Sequence, residues 1–139
     1  MDSKKVVRVA SGAVVFASDA IDAKVLLVTS TKDKERWVLP KGGVEPDLMA
    51  KENAAKETKE EAGVHAHLFS QVAEFECEGK AGWQQEIYYW GVFVSYVDWE
   101  EFNLRKREWV TVDEAVARLG EQQGDVVRKA HTALVKCAS

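Results

Sequence analysis

The sequence predicts a mixed α/β sandwich, and three observations carry the prediction. Val/Ala-rich runs at Val6–Phe16 and Lys24–Ser30 read as buried strands. An Ala/Glu/Lys stretch from Leu48 to Ala62 reads as a helix. A long aromatic run, Gln85–Val97, returns to strand before two more helices. The order strands, helix, strands, helices fits one compact domain, and the 139-residue length suits a single core over 1–139.

Each element has a local reason. Val6–Phe16 carries Gly12 within an otherwise buried strand pattern, and Ser18–Ala23 is the turn into Lys24–Ser30. Thr31–Glu35 is a charged loop. Trp37-Val38-Leu39 is extended, because Pro40 keeps the residue before it out of helix. Lys41-Gly42-Gly43 reads as loop. Gly63 ends the first helix as its left-handed C′ residue. Ala66–Glu78 is a strand pair or one bent strand, and Gly79–Gly82 is a turn. Glu108–Val112 is a short strand, Asp113 caps a helix to Leu119 with Glu114 in its first turn, and Asp125–Lys136 is amphipathic, with Val126, Val127, Ala130, Ala133 and Leu134 on one face.

Charge narrows the function. The net charge is −4, which argues against general nucleic-acid binding. It is unevenly placed: residues 1–41 hold eight Lys/Arg against five Asp/Glu, 42–63 hold three against six, and 64–139 hold eight against twelve. No apolar run is long enough to span a membrane, and Met1–Lys5 leads into strand-like sequence without a signal-peptide core. Cys77 and Cys137 form no metal or redox spacing, so a reducing compartment is expected, cytoplasmic or nuclear; delivery elsewhere by a segment outside this sequence stays open. A monomer is expected.

Glu57, Glu60 and Glu61 stand at i, i+3 and i+4, which places three carboxylates on one helical face. Ala55, Thr58 and Ala62 form the opposite face, small enough to pack on a sheet. Like charges at that spacing repel, and oxygen ligands suit a hard divalent cation, Mg²⁺ or alternatively Mn²⁺. The bland alternative is a solvated helix neutralised by Lys51, Lys56 and Lys59, with Glu52 and Lys56 as an i, i+4 pair.

Gly42, followed fifteen residues later by Glu57-Thr58-Lys59-Glu60-Glu61-Ala62-Gly63-Val64, resembles the Nudix box, GX5EX7REUXEEXGU with U aliphatic, over 42–64. Leu48 stands where the box has its first glutamate, Lys56 replaces the arginine, and Thr58 the aliphatic residue. Lys56 keeps the charge but loses the planar fork. Beyond the box, Arg36-Trp37-Val38-Leu39-Pro40-Lys41-Gly42-Gly43-Val44-Glu45-Pro46 is similar to the corresponding stretch of diphosphoinositol polyphosphate phosphohydrolases and their fungal relatives that also cleave diadenosine polyphosphates. Asp98-Trp99-Glu100 and Arg105-Lys106-Arg107-Glu108-Trp109 resemble a second stretch of that branch.

The resemblance implies a Nudix α/β/α sandwich with a loop–helix–loop, and a pyrophosphohydrolase acting on a small polyphosphorylated substrate. It implies that Gly42, Glu57, Glu60 and Glu61 hold metal, with Glu60 as general base or ligand to a metal-bound water. It also implies that Arg8, Ser30, Lys32 and Arg105 border the phosphate pocket. Arg36 and Lys41, beside the loop entering the metal site, suit phosphate by their chemistry. The basic residue the family has beyond its short helix falls near Gln123. Glu86 is a further candidate ligand from the neighbouring strand. Trp83 offers a ring for a purine, whereas Tyr88, Tyr89, Trp90, Phe93 and Tyr96 read as packing, and His65 and His67 as ordinary surface or core histidines. Two rival functions are a Nudix-fold binder of inositol polyphosphates or nucleotides without turnover, and a nucleotide- or cap-cleaving Nudix enzyme.

Overall fold

The computed structural model describes residues 8–79 and 81–138. The first two residues of the predicted first strand, the N-terminal stretch before it and Lys80 of the predicted turn lie outside them. The strands are β1 (Arg8–Phe16), β2 (Val25–Thr29), β3 (Trp37–Val38), β4 (Lys41–Gly43), β5 (Val64–Gly79), β6 (Gly82–Tyr96) and β7 (Arg107–Val110). The helices are α1 (Ala50–Ala62), α2 (Val112–Arg118) and α3 (Glu121–Ala138).

The strands form one mixed sheet in the order β3-β2-β1-β6-β5, with β4 paired to β1 and β7 to β2. β1 runs parallel to β6 and antiparallel to β2 and β4. Alternation along β1 divides the core. Val14 and Phe16 join Tyr88, Trp90 and the α2–α3 residues Ala115, Leu119, Val126, Val127, Ala130 and Leu134 on one face. Ala13 and Val15 join Ala54 and Ala62 of α1 on the other. Helices on both faces make the expected α/β/α sandwich.

Several elements differ from expectation. Lys41–Gly43 is a short strand against β1 (Ala10↔Gly43, Ser11↔Gly42, Gly12↔Lys41), because its backbone groups find a free edge there. α1 starts at Ala50, two residues later than expected, and the Glu52 carboxylate accepts from the Met49 N–H at 3.0 Å. Thr111 rather than Asp113 caps α2, its hydroxyl accepting from the Glu114 N–H at 3.1 Å. α3 extends from Glu121 to Ala138. β5 is a single strand whose register shifts between Leu68 and Ala73.

The inner face of α1 is Asn53, Ala54, Thr58, Glu61 and Ala62, with Ala55 only half-buried. The Thr58 hydroxyl is tolerated there because it donates to the Ala54 carbonyl at 2.8 Å. Gly63 takes the left-handed conformation (φ 65°), as expected for its helix-ending position.

Candidate metal and phosphate site

α1 is held at its C-terminus by a full set of donors. The Lys59 carbonyl accepts from the Gly63 N–H and the Glu60 carbonyl from the Glu101 N–H. The Glu61 carbonyl accepts from Trp99 Nε1 and the Ala62 carbonyl from Arg107 Nη1, both at 2.7 Å. All four carbonyls that a helix end leaves open are thereby satisfied. Arg107 is sandwiched between the rings of Tyr96 and Trp99, each 4.4 Å from its guanidinium carbon. The Trp99 and Arg107 stretches thus fix the carboxylate helix; Arg107 does so through a carbonyl rather than through an acid.

The three box carboxylates do not share one solvated face. Glu61 is buried, Glu57 and Glu60 half-buried. Glu57 lies against β4, where a Cβ on Gly42 would sit 2.3 Å from its carboxyl carbon, so only glycine admits the approach. Glu57 and Glu61 lie close enough to act directly on each other's ionisation. Burial raises the pKa of both above the ordinary carboxylate range, Glu61 to about 8 despite Arg105 and the Lys41 N–H beside it. Glu60 and Glu101 add like charge around the pair, Glu101 acting on both.

Glu60 points elsewhere. Its carboxylate binds Lys56, which also pairs with Glu45 at 2.6 Å, so the expected Glu52–Lys56 pair does not form. Both partners raise the Lys56 pKa. One carboxylate oxygen each of Glu60, Glu100 and Glu101 lie within 4.8 Å of one another, a second acidic cluster beside the first.

Asn53, read only as part of the helix, organises the site. Its Nδ2 donates to Ser11 Oγ and to the Gly42 carbonyl, both at 3.1 Å, and its Oδ1 accepts from the Glu45 N–H at 3.3 Å. Ser11 Oγ in turn donates to the Ala50 carbonyl at 2.7 Å. One buried amide therefore ties α1 to β1 and fixes the direction of the Gly42 carbonyl.

A cleft of about 830 Å³ gathers Arg8, Ser30, Lys32, Arg36, Lys41, Gly42, Glu57, Glu61 and Arg105 on its walls. Of the proposed site residues only Glu60 is not part of this lining. Arg105 is also a structural residue: Nε donates to Glu101 at 2.6 Å, Nη1 to the Thr29 carbonyl at 2.8 Å, and Nη2 lies 3.3 Å from Glu61. Arg8 lies over Gly43, where a Cβ would meet its guanidinium at 2.7 Å.

The far wall is unlike the near one. Gln84, Glu86, Cys77, Phe75 and Gln123 line it. Gln123 stands near where a basic residue was expected; it accepts from the Leu39 N–H and donates to Tyr88 Oη. Glu86 accepts from Tyr88 Oη at 2.8 Å and Gln84 Nε2 at 2.6 Å, with Lys41 Nζ at 3.7 Å. Burial and Glu86 push the Cys77 thiol up to about 11. Tyr88 and Tyr89 point to opposite faces of the sheet as packing residues, as strand alternation requires.

Two crowded carboxylates with raised pKa values and an oriented carbonyl are a set of hard oxygen donors that suits a divalent cation. Among the described residues no helix is long and apolar enough to cross a membrane.

The NUDIX domain model matches residues 6–130. Diphosphoinositol polyphosphate phosphohydrolase 2 of Rattus norvegicus is 37% identical over 105 residues, covering 73% of this chain and 56% of its own length. Diphosphoinositol polyphosphate phosphohydrolase 3-alpha of Homo sapiens is 36% identical over 103 residues, with 73% and 62% covered. The chain thus spans about three-fifths of the length of these relatives. A solved Ap4A hydrolase binary complex from C. elegans superposes with a TM-score of 0.79 at 22% identity, over 94% of this chain and 99% of that one. A NUDIX hydrolase from Nitrosomonas europaea superposes with a TM-score of 0.74 at 18% identity, over 93% and 90%. At those identities the likeness is one of fold.

Proposed function

The chain belongs to the NUDIX domain family, and on that premise we propose that it is a Mg²⁺-dependent pyrophosphohydrolase of inositol pyrophosphates, diadenosine polyphosphates or both. Mn²⁺ is the alternative ion. The observation that carries the reading is the single cleft in which Glu57, Glu61 and Gly42 face Arg8, Lys32, Arg36 and Lys41. An acidic cluster beside basic residues suits a cation–polyphosphate complex better than either ion alone. The names of the matched relatives, diphosphoinositol polyphosphate phosphohydrolases and an Ap4A hydrolase, point to the same substrate classes.

A divalent cation supplies charge neutralisation and a lowered water pKa when bound. Glu57, Glu61 and the Gly42 carbonyl would hold it. Arg8, Lys32, Arg36 and Lys41 would bind non-bridging phosphate oxygens and orient the anhydride for in-line attack by water on phosphorus. Ser30 would add a hydroxyl at the same rim, and Arg105 the N–H groups not used by Glu101, Thr29 and Glu61. Glu60 would take the proton of the attacking water on the oxygen that Lys56 does not hold. The reading includes a monomer working in the cytoplasm or nucleus, consistent with two free cysteines; size-exclusion chromatography with light scattering tests the monomer.

The test is Mg²⁺-dependent phosphate release from an inositol pyrophosphate and a diadenosine polyphosphate by wild type and Glu60→Gln. A fall of about 10²–10⁴-fold in the variant is expected for loss of a general base. Unchanged turnover would remove Glu60 from the mechanism. The Lys56 clamp on Glu60 favours one second reading, a binder without turnover. Tight binding with no metal-dependent phosphate release from either compound would select it.

A further inference from the structure

The cleft is chemically two-ended, and the end away from the acidic helix combines Arg8 and Lys41 with a buried group of hydrogen-bond acceptors. β4 is the dividing line. Gly42 pairs with Ser11, whose side chain reaches α1, so the carboxylates of α1 approach on that face. Lys41 pairs with Gly12, which is also opposite Tyr88 on β6, and this register places Glu86 and Gln84 on the other face. Both faces open into the same cleft.

Glu86 and Gln84 are each 5% exposed. Glu86 Oε1 accepts from Tyr88 Oη, and Oε2 from Gln84 Nε2, with the Cys77 thiol at 3.5 Å. Its cationic neighbour is Lys41, at 3.7 Å, while Arg8, in register with Gln84 on the same face, turns its guanidinium over Gly43. Three of these groups, Gln84, Cys77 and Lys41, lie on Oε2, whereas Oε1 receives Tyr88 Oη and has a second lone pair for another donor. Gln84 Oε1 accepts no hydrogen bond among the described residues. Phe75, stacked on Tyr88 with centroids 6.0 Å apart, places a flat apolar face beside these acceptors.

A buried wall of acceptors favours an uncharged group rich in N–H and O–H donors and disfavours a second anion. An inositol ring phosphorylated at every position would press a phosphate against Glu86. A nucleoside carries hydroxyl and amino donors and a planar ring for Phe75. We propose that Glu86, braced by Gln84 and Tyr88, is a specificity-determining residue that receives the nucleoside end of a nucleoside polyphosphate and discriminates against fully phosphorylated rings. This rests on the polyphosphate reading of the cleft above.

The test compares wild type with Glu86→Gln in two assays. Turnover of a diadenosine polyphosphate and an inositol pyrophosphate gives the ratio of kcat/KM values. Metal-free calorimetric binding of ADP and of inositol hexakisphosphate gives the ratio of affinities without relying on catalysis. In both, the variant is expected to shift the ratio about tenfold toward the inositol compound. Gln123→Lys, which adds a cation to the same wall, should shift it the same way and serves if Glu86→Gln folds poorly. If wild type hydrolyses neither compound, the catalytic reading fails while the binding ratio still decides this one. An unchanged binding ratio in the variants, or equal losses for both ligands, overturns the proposal.

Discussion

Glu61 and Glu86 are 6% and 5% exposed and line the same cleft, yet the protein treats their charges differently. Around Glu86 converge a tyrosine hydroxyl, a glutamine amide, a thiol and a lysine. Around Glu61 stand Glu57 and Glu101, and the Lys41 N–H and Arg105 do not offset the cost of burying its charge. The lesson is that burial alone does not say what a carboxylate is for. One surrounded by donors has its charge met by its own protein and can only add a hydrogen bond to a ligand, whereas one surrounded by carboxylates is short of positive charge that a metal ion would supply.

The strongest way to break this comparison is to neutralise each side in turn. Glu57→Gln and Glu61→Gln are expected to lower metal-dependent kcat/KM by about 10²–10³-fold, since each removes charge directed at the reacting phosphate complex. Glu61→Gln should at the same time raise the metal-free melting temperature at pH 8, and Glu86→Gln should lower it. Calorimetric melting with and without metal reads both. If the two variants shift stability in the same direction, the distinction between the walls is wrong.

A subtler disturbance is Gly42→Ala. The added methyl would occupy space within 2.3 Å of the Glu57 carboxyl carbon and displace it from the carbonyl that shares its site. Metal affinity, measured by titration calorimetry with Mn²⁺, is expected to fall about 10–100-fold. Asn53→Ala leaves both glutamates in place but removes the brace on the Gly42 carbonyl. It should cost about 2–4 kcal/mol in urea unfolding, since it removes several buried hydrogen bonds and leaves the Glu45 N–H without a partner. It should weaken Mn²⁺ binding about tenfold. Wild-type affinity in a folded Asn53→Ala protein would show that the carbonyl is not a ligand.

These two walls were not equally legible. The near wall is local in sequence: Gly42 and the carboxylates of one helix have fixed spacing, and helical periodicity joins Glu57 to Glu61. Arg8, Ser30, Lys32, Arg36 and Lys41 were visible as basic or hydroxyl residues on predicted strand ends and loops. The periodicity did not show that Glu60 turns to Lys56, because the acids around that pair, Glu45, Glu100 and Glu101, come from other segments. Asn53 resembled any polar helix residue, and its role depends on Ser11, 42 residues away. Glu86 is one acid in an aromatic strand. Its place in the cleft follows from the parallel pairing of β1 with β6, which alternation predicts for neither strand alone.

The smallest expected effect is the one that tests the electrostatic basis of the contrast. Glu61, at about 8, and Glu57, also raised, bind protons more tightly in the folded chain than in the unfolded one. Their contribution to stability is therefore fully present below about pH 4.5, the unfolded value, and is lost as pH rises through about 8. In EDTA, the melting temperature attributable to this pair should decline between those limits. With Mg²⁺ present the decline should flatten, because the cation favours the ionised carboxylates and its binding releases protons. Binding heats of Mn²⁺ measured at pH 7 in buffers of different ionisation enthalpy should then report proton release, and Glu61→Gln should reduce it. Glu86→Gln should leave that release unaltered, because Glu86 is braced by the protein's own donors on the other face of β4. Equal proton release from all three proteins would mean that Glu61 does not discharge a proton to the metal, and that the two walls do not differ in the way their surroundings imply.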